Sequence, residues 1–270
     1  MTNQYELLDF GYGRRLERFE NTVLDRPCPA AENAVPVRPG IWKTAAFRFD
    51  EKWTAKIPPQ IVNFGVIKMK IDCTPFGHIG VFPEQIPNWE QMASLRADSA
   101  RILNLFAYTG GSSIAAALSG KNVEVVHVDS AKGIVRWAKE NAQINGIQTI
   151  RFITEDIRKF VHREIKRGNR YDGIILDPPS FGHGVQGEVW KFSDDLPPLL
   201  ASLAGLFSKN PLFFLLTAHT SGIGSDDLLN MTEKAEIRQN TGLKAKKSVL
   251  RIPAAGGRFL ESGCGVWLFR

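Results

Sequence analysis

From Arg101 onward the chain repeats one pattern: a short apolar or β-branched run, a loop containing Gly, Asp or Pro, then an amphipathic stretch. RILNLF, VEVVHVD, TIRFIT, YDGIILD and PLFFLLT read as strands, and SSIAAALSG, SAKGIVRWAKENAQIN and EDIRKFVHREIKRG as the helices between them. Near-continuous apolar runs of this kind suit strands buried on both faces. Strands alternating with helices join by right-handed crossovers into a parallel, doubly wound sheet. Ser112 and Ser113 are cap candidates for the first helix, and Ser225 for a helix over SDDLLNMTEKAEIRQ. FSDDLPPLLASLAGLF is expected to be helical only after Pro198. KSVLRI and CGVWLF have no helix between them, so they pair antiparallel at the end of the sheet.

Upstream the pattern differs. YELLDF, RRLERF, TVLDRP, WKTAAFRF and QIVNFGVIKMKI are short runs punctuated by Pro and Gly, which reads as strands joined by turns. The expectation is a small β-rich domain over residues 1–82. An α/β domain over 83–270 follows, entered through a helix from about Trp89 to Ala97.

A content of 43% hydrophobic and 23% charged residues lets both regions bury a core. No stretch approaches the roughly 18 apolar residues of a membrane span, and no membrane partner is expected. The first residues, MTNQYELLDF, lack the apolar core of a signal peptide. Cys28, Cys73 and Cys264 are isolated and odd in number, which argues against a disulfide framework or a metal cluster and fits a cytoplasmic chain. Lys and Arg exceed Asp and Glu by 34 to 28. The excess gathers in Arg38, Lys43, Arg48, Lys52, Lys56, Lys68 and Lys70, and again in Lys244, Lys246, Lys247 and Arg251. Such clusters are either an anion-attracting face or a solvated surface.

In an open α/β sheet, ligands lie beyond the carboxyl ends of the strands, so the residues after each strand are the candidates. The first strand leads into Phe106-Ala107-Tyr108-Thr109-Gly110-Gly111, where glycine permits a tight turn and close approach of a ligand to the backbone. The spacing is not G-x-G-x-x-G, the dinucleotide fingerprint. The second strand ends in Asp129-Ser130, where an acid accepts hydrogen bonds from ribose hydroxyls or caps the next helix. Glu155-Asp156 follow the third strand, as acceptors for an adenine amino group or as first-turn helix acids. The fourth strand ends in Asp177-Pro178-Pro179-Ser180-Phe181. Two prolines fix this arc and remove its N–H donors, leaving a carboxylate and carbonyls to accept from an amine on a cofactor or a target base. Phe181 can stack on a planar substrate.

ILNLFAYTGG, VDSAKGIVRWAKENAQING, the acid Asp156 and IILDPPSFG, in that order, resemble the class I methyltransferases of the bacterial 23S rRNA methyltransferase superfamily, which includes 5-methylcytosine and 7-methylguanine enzymes. The resemblance runs from about Gly77 to Arg270. It implies a Rossmann-like α/β fold with a seven-stranded class I methyltransferase sheet, and S-adenosylmethionine as cofactor. By the same resemblance Phe82, Gln85, Phe106, Tyr108 and Gly110 lie near the cofactor. Asp129 with Ser130 holds the ribose, Asp156 the adenine and Asp177 the methionine end. Transfer occurs at Asp177, Pro178, Pro179 and Phe181, and Asn141 and Asn145 are structural. The terminal strand pair fits this family better than a nicotinamide-dependent dehydrogenase.

Structured RNA, ribosomal RNA in particular, is the partner the resemblance implies. A protein or small-molecule substrate, or a non-catalytic RNA-binding scaffold, is the alternative. The 5-methylcytosine members carry a nucleophilic cysteine after the fifth strand, where this chain reads LTAHTSG with Ala218 at that place. Carbon-5 of a pyrimidine needs a thiolate to add to the ring first, so nitrogen or oxygen targets remain, and with the resemblance a nitrogen is the first choice. The aromatic after Pro-Pro stands one place later than in adenine-amine methyltransferases, and the family's N-terminal RNA-binding module is not evident in 1–82. His183 and His219, on the loops flanking the transfer site, are candidate general bases or substrate hooks, or plain loop residues.

Overall fold

A computed structural model describes residues 3–184 and 187–270. The chain divides into two compact units. One takes the chain up to Glu90 together with Leu250–Ser262; the other takes Gln91–Val249 and Gly263–Arg270.

The first unit is β-rich. β1 (Tyr5–Gly11), β2 (Arg14–Phe19), β3 (Thr22–Pro27) and the two-residue β4 (Phe47–Arg48) form one sheet in that order. β1, β2 and β3 pair antiparallel, and β3 and β4 parallel. Tyr12 and Gly13 link β1 to β2 with positive φ at both positions (51° and 71°), as a two-residue hairpin turn requires. β5 (Gln60–Phe64) and β6 (Ile67–Ile71) make a second hairpin. Leu7, Leu16, Phe19, Leu24, Val62 and Phe64 close the core, with Tyr5 and Phe19 rings 5.1 Å apart.

WKTAAFRF, expected as a strand, begins within a 3-10 turn over Pro39–Thr44, and its strand is reduced to Phe47 and Arg48, with Phe49 bridging Trp53. The cause is Asp9. Its carboxylate accepts the N–H groups of Val37 and Arg38 and the Trp42 indole N–H, which curls the segment. The helix expected over 89–97 is α1 (Ile86–Ala93), entered through a 3-10 turn at Pro83–Gln85.

The second unit carries β7 (Ser99–Leu105), α2 (Gly111–Ala117), β8 (Asn122–Asp129), α3 (Lys132–Ile144), β9 (Ile150–Thr154), α4 (Ile157–Lys166) and β10 (Gly173–Leu176). Then come β11 (Phe181–His183), β12 (Val189–Lys191), α5 (Phe192–Ala204), β13 (Phe213–Ala218), α6 (Ser225–Lys234), α7 (Ile237–Thr241), β14 (Lys244–Pro253) and β15 (Phe259–Phe269). Seven strands form one sheet in the order β14-β15-β13-β10-β7-β8-β9. β13, β10, β7, β8 and β9 run parallel and β15 is antiparallel to β13, the doubly wound sheet expected. β10 and β13 are buried along their whole length, as strands covered on both faces are.

From β7 the chain winds outward through β8 and β9, then returns to β10 on the other flank. Leu105 and Leu176 are register partners at the ends of β7 and β10. The loops after them part there, and this divergence opens the crevice.

Four local expectations are corrected. α2 is capped by Gly110, not by Ser112 or Ser113; the Ser113 hydroxyl is buried, 2.9 Å from Asn104 Nδ2 and 3.0 Å from His127 Nδ1. α5 starts at Phe192, ahead of Pro197 and Pro198. The prolines leave only the carbonyls of Ser193 and Asp194 unbonded, and both residues are exposed to water. Ser225 is the first helical residue of α6 rather than its cap; the Gly224 N–H is taken by the Asp227 carboxylate at 2.8 Å. Part of the loop after β10 is regular: Phe181–His183 pairs antiparallel with Val189–Lys191.

Candidate active site

The loop after β7 is curled tightly. Phe106, Tyr108 and Gly110 all have positive φ (55°, 49° and 91°). For the two aromatic residues this costs on the order of 1–3 kcal/mol each, and it persists only where neighbours fix it. Asn141 of α3 donates to Thr109 O at 2.9 Å, and Asn145 to Asn141 O at 2.8 Å. A Cβ at position 110 would stand 3.2 Å from that of Ala138, so glycine also permits the close packing of the loop on α3.

The Tyr108 N–H donates to Asp129 Oδ2 and the Ala131 N–H to Asp129 Oδ1, each at 3.0 Å. Asp129 thus ties the first loop to the end of β8. Burial pushes its carboxyl above the ordinary value, against the pull of the Ala131, Tyr108 and Ser130 N–H groups. A desolvated carboxylate of this kind gains from further donors, and a vicinal diol supplies two.

Asp156 caps α4, accepting the N–H groups of Arg158 (3.0 Å) and Lys159 (3.2 Å). Its Oδ2 also meets the Arg158 guanidinium at 3.2 Å. Arg158 reaches on to Asp195 (2.9 Å) and Val189 O (3.2 Å), and Lys159 to Glu188 (2.6 Å). These bonds latch the β11–β12 hairpin to α4 and α5. Glu155 is taken by Arg163.

Trp190, which sequence reasoning missed, joins the two halves of the crevice. Its ring packs on Phe106, with centroids 4.7 Å apart, and its indole N–H donates to Pro179 O at 2.8 Å. The resulting pocket is walled by Phe106, Pro179 and Trp190 and edged by Asp129, Ser130 and Asp156. No spacing rule marks Trp190, because its place depends on a hairpin that the sequence presents as a loop.

Asp177 follows β10 directly. Thr217 Oγ1 donates to Asp177 Oδ1 at 2.6 Å, and His219 Nε2 lies 3.4 Å from the same oxygen. Phe181 is 54% exposed, available to stack on a planar group, with the His183 ring 4.9 Å away edge-on. His183 edges the pocket through the hairpin; His219 stands on the Asp177 side. Phe82 and Gln85 belong to the first unit, where Phe82 meets the His78 ring and buried Gln85 accepts from Asn88 at 2.6 Å.

Burial raises the thiol pKa of Cys28, Cys73 and Cys264, the last to about 11, so none is poised as a thiolate. Among the described residues no helix is long and apolar enough to cross a membrane.

The residues present fit S-adenosylmethionine. A desolvated carboxylate at the end of β8 suits a ribose, two aromatic rings and a proline suit a purine face, and Asp177 suits an ammonium group.

Comparison with known proteins agrees. Residues 60–242 match the family model described as S-adenosylmethionine-dependent methyltransferase. Ribosomal RNA large subunit methyltransferase I of Aeromonas hydrophila is 32% identical over 163 residues, 60% of this chain and 38% of that protein. Ribosomal RNA large subunit methyltransferase K/L of Pseudoalteromonas atlantica is 36% identical over 135 residues, 49% of this chain and 18% of that protein. The matches therefore span well under half the length of these curated relatives. The crystal structure of the SAM-dependent methyltransferase from Agrobacterium tumefaciens aligns over 100% of this chain and 91% of that one, at 31% identity and a TM-score of 0.90. With the sheet order, the crevice and the family match in agreement, this chain belongs to the S-adenosylmethionine-dependent methyltransferase family.

Proposed function

We propose that this chain transfers a methyl group from S-adenosylmethionine to a nitrogen of structured RNA, ribosomal RNA first. The observation that carries the transfer is the crevice itself: Asp129, Asp156 and Asp177 stand at or just past the ends of β8, β9 and β10, on both sides of the point where strand order reverses. Asp129 with Ser130 would hold the ribose, Asp156 the adenine edge, Phe106, Tyr108 and Gly110 the wall of the adenosyl site, and Asp177 an ammonium or amine. The cofactor, when bound, supplies an electrophilic methyl on a sulfonium. The protein's own task is to hold a lone pair in line with that carbon and to exclude water, which is catalysis by positioning. The rigid Asp177-Pro178-Pro179 arc and the exposed Phe181 ring serve that task.

RNA is supported by the names of the relatives, ribosomal RNA large subunit methyltransferases, and by the cationic excess of 34 over 28. Nitrogen is supported by the three thiols, which burial holds away from the ionised form that addition to a pyrimidine carbon requires. A cytoplasmic location and a division of labour between residues 1–82 and 83–270, the latter carrying the transfer, belong to the same reading. Phe82 and Gln85 enter it as residues to test by substitution to alanine.

The test is transfer of labelled methyl from S-adenosylmethionine to total RNA and to ribosomal subunits, by wild type and Asp177→Ala, followed by nucleoside analysis. The expected result is label in one N-methylated nucleoside, lost in the variant. Label that appears only in protein or small molecules overturns the RNA reading.

A further inference from the structure

Asp177 is held from the neighbouring strand. β10 and β13 run parallel with Leu176 and Leu216 in register, so Asp177, the first residue past β10, stands beside Thr217 of β13. Thr217 is buried, and its hydroxyl gives Asp177 Oδ1 the 2.6 Å bond. Two residues on, His219 brings Nε2 to 3.4 Å from the same oxygen. One residue further, Thr220 Oγ1 lies 2.8 Å from Ser180 Oγ, which ties the two loops together a second time.

The opposite edge of the His219 ring lies against β15. A Cβ at Gly263 would stand 2.9 Å from His219 Nδ1 and 2.5 Å from Ala218 O, so only glycine lets the ring occupy that place. The ring thus lies between Asp177 on its Nε2 side and Gly263 on its Nδ1 side.

We propose that Thr217 and His219 are positioning residues for Asp177: both engage Oδ1, and together they fix the direction in which Oδ2 is presented to the amine that Asp177 accepts. The inference rests on the reading of Asp177 as that acceptor. A carboxylate at the end of a strand otherwise turns about its last torsion, which is broad and has no strong staggered preference. The Thr217 bond, with His219 Nε2 3.4 Å from the same oxygen, narrows that freedom before any ligand arrives. An acceptor oriented in advance loses less on binding and directs its partner more narrowly.

The test uses the full chain with Thr217→Val, which keeps the shape and removes the hydroxyl, and Thr217→Ser, which keeps it. His219→Phe and His219→Gln do the same for the ring. Each is made alone and combined with Asp177→Asn. Affinity for S-adenosylmethionine by calorimetry, single-turnover methyl transfer and melting midpoint are read separately. Thr217→Val and His219→Phe are expected to lose about tenfold or more in affinity or in transfer, with the midpoint nearly unchanged, and Ser and Gln to restore most of it. On the Asp177→Asn background the same changes are expected to add almost nothing, because they act through a group already removed.

Silent Thr217→Val and His219→Phe beside a damaging Asp177→Asn overturn the inference and leave the reading of Asp177 standing. A silent Asp177→Asn overturns both. Full additivity with Asp177→Asn also overturns the inference. If Thr217→Val does not fold, the partly exposed His219 carries the test through His219→Phe and His219→Gln.

Discussion

His127 shows what one residue's environment decides. It sits wholly buried in β8, with Nδ1 3.0 Å from the Ser113 hydroxyl and its ring 5.0 Å from that of Phe152. Burial holds its pKa down to about 3, so the ring stays neutral and links Ser113, and through it Asn104, into one buried chain beneath the first loop. The folded pKa lies below the unfolded value near 6.5, so the unfolded chain takes up a proton first as the pH falls. Stability from this group is complete above pH 6.5 and is lost between 6.5 and 3. Over the step from pH 7 to pH 5 the loss amounts to about 2 kcal/mol. His127→Gln removes the titration. Urea unfolding at pH 7 and pH 5 is therefore expected to show wild type losing about 2 kcal/mol more than the variant. Equal losses would show that His127 is protonated in the folded state.

At the scale of elements, Asp156 has two roles that substitution separates. It caps α4 through the Arg158 and Lys159 N–H groups, and it edges the pocket. Replacing a capping Asp by Ala costs about 0.5–2 kcal/mol, whereas Asn caps about as well. The half-exposed ion pair with Arg158 adds little to either difference. Asp156→Ala is expected to lose both stability and affinity for S-adenosylmethionine, and Asp156→Asn mainly affinity, as read by urea unfolding and calorimetry. Equal stability losses would remove the capping role.

The same residue shows why the sequence is only partly legible. An acid after a β-branched run marks the strand end, and the alternation of runs marks the doubly wound sheet. Both are local patterns with a physical period. The β11–β12 hairpin follows two prolines and contains Gly182 and Gly184, so local chemistry reads as loop. What holds it is non-local: Arg158 and Lys159 of α4 bond Val189 O and Glu188, and the hairpin's own Trp190 packs on Phe106. The start of α5 is hidden likewise, because two prolines are tolerated only where the carbonyls they orphan face water. The helix expected over 225–239 breaks at Glu236, whose φ of 57° is set by the turn into α7. The positions of the three acids are legible because each stands at or just past a strand end. Trp190 and the hold of Thr217 on Asp177 were not, since register between strands has no local signature.

At the scale of the whole molecule, the pocket beside Trp190 lies in the second unit. Every described residue walling this pocket, from Phe106 to Trp190, lies within Gln91–Val249. A ligand that binds only the folded form stabilises it by RT ln(1 + [L]/Kd), about 2.7 kcal/mol at a hundredfold excess over Kd. For a unit of this size each kcal/mol raises the midpoint by about 2–4 °C. S-adenosylhomocysteine, which keeps the adenosyl group and the amino-acid end, is therefore expected to raise the melting transition of the second unit by roughly 5–11 °C at that excess. NAD offers a ribose to Asp129 as well, but its pyrophosphate needs a glycine-rich turn of G-x-G-x-x-G spacing, and the turn here is Tyr108-Thr109-Gly110-Gly111. No shift is expected with NAD. Because ribose binding is common to both ligands, the pair of measurements isolates what the rest of the crevice recognises. A shift with both would mean that the Asp129 end alone carries affinity. A shift with NAD alone would place the chain's chemistry outside methyl transfer, and a shift with S-adenosylhomocysteine alone ties recognition to the adenosyl wall and the Asp177 end together.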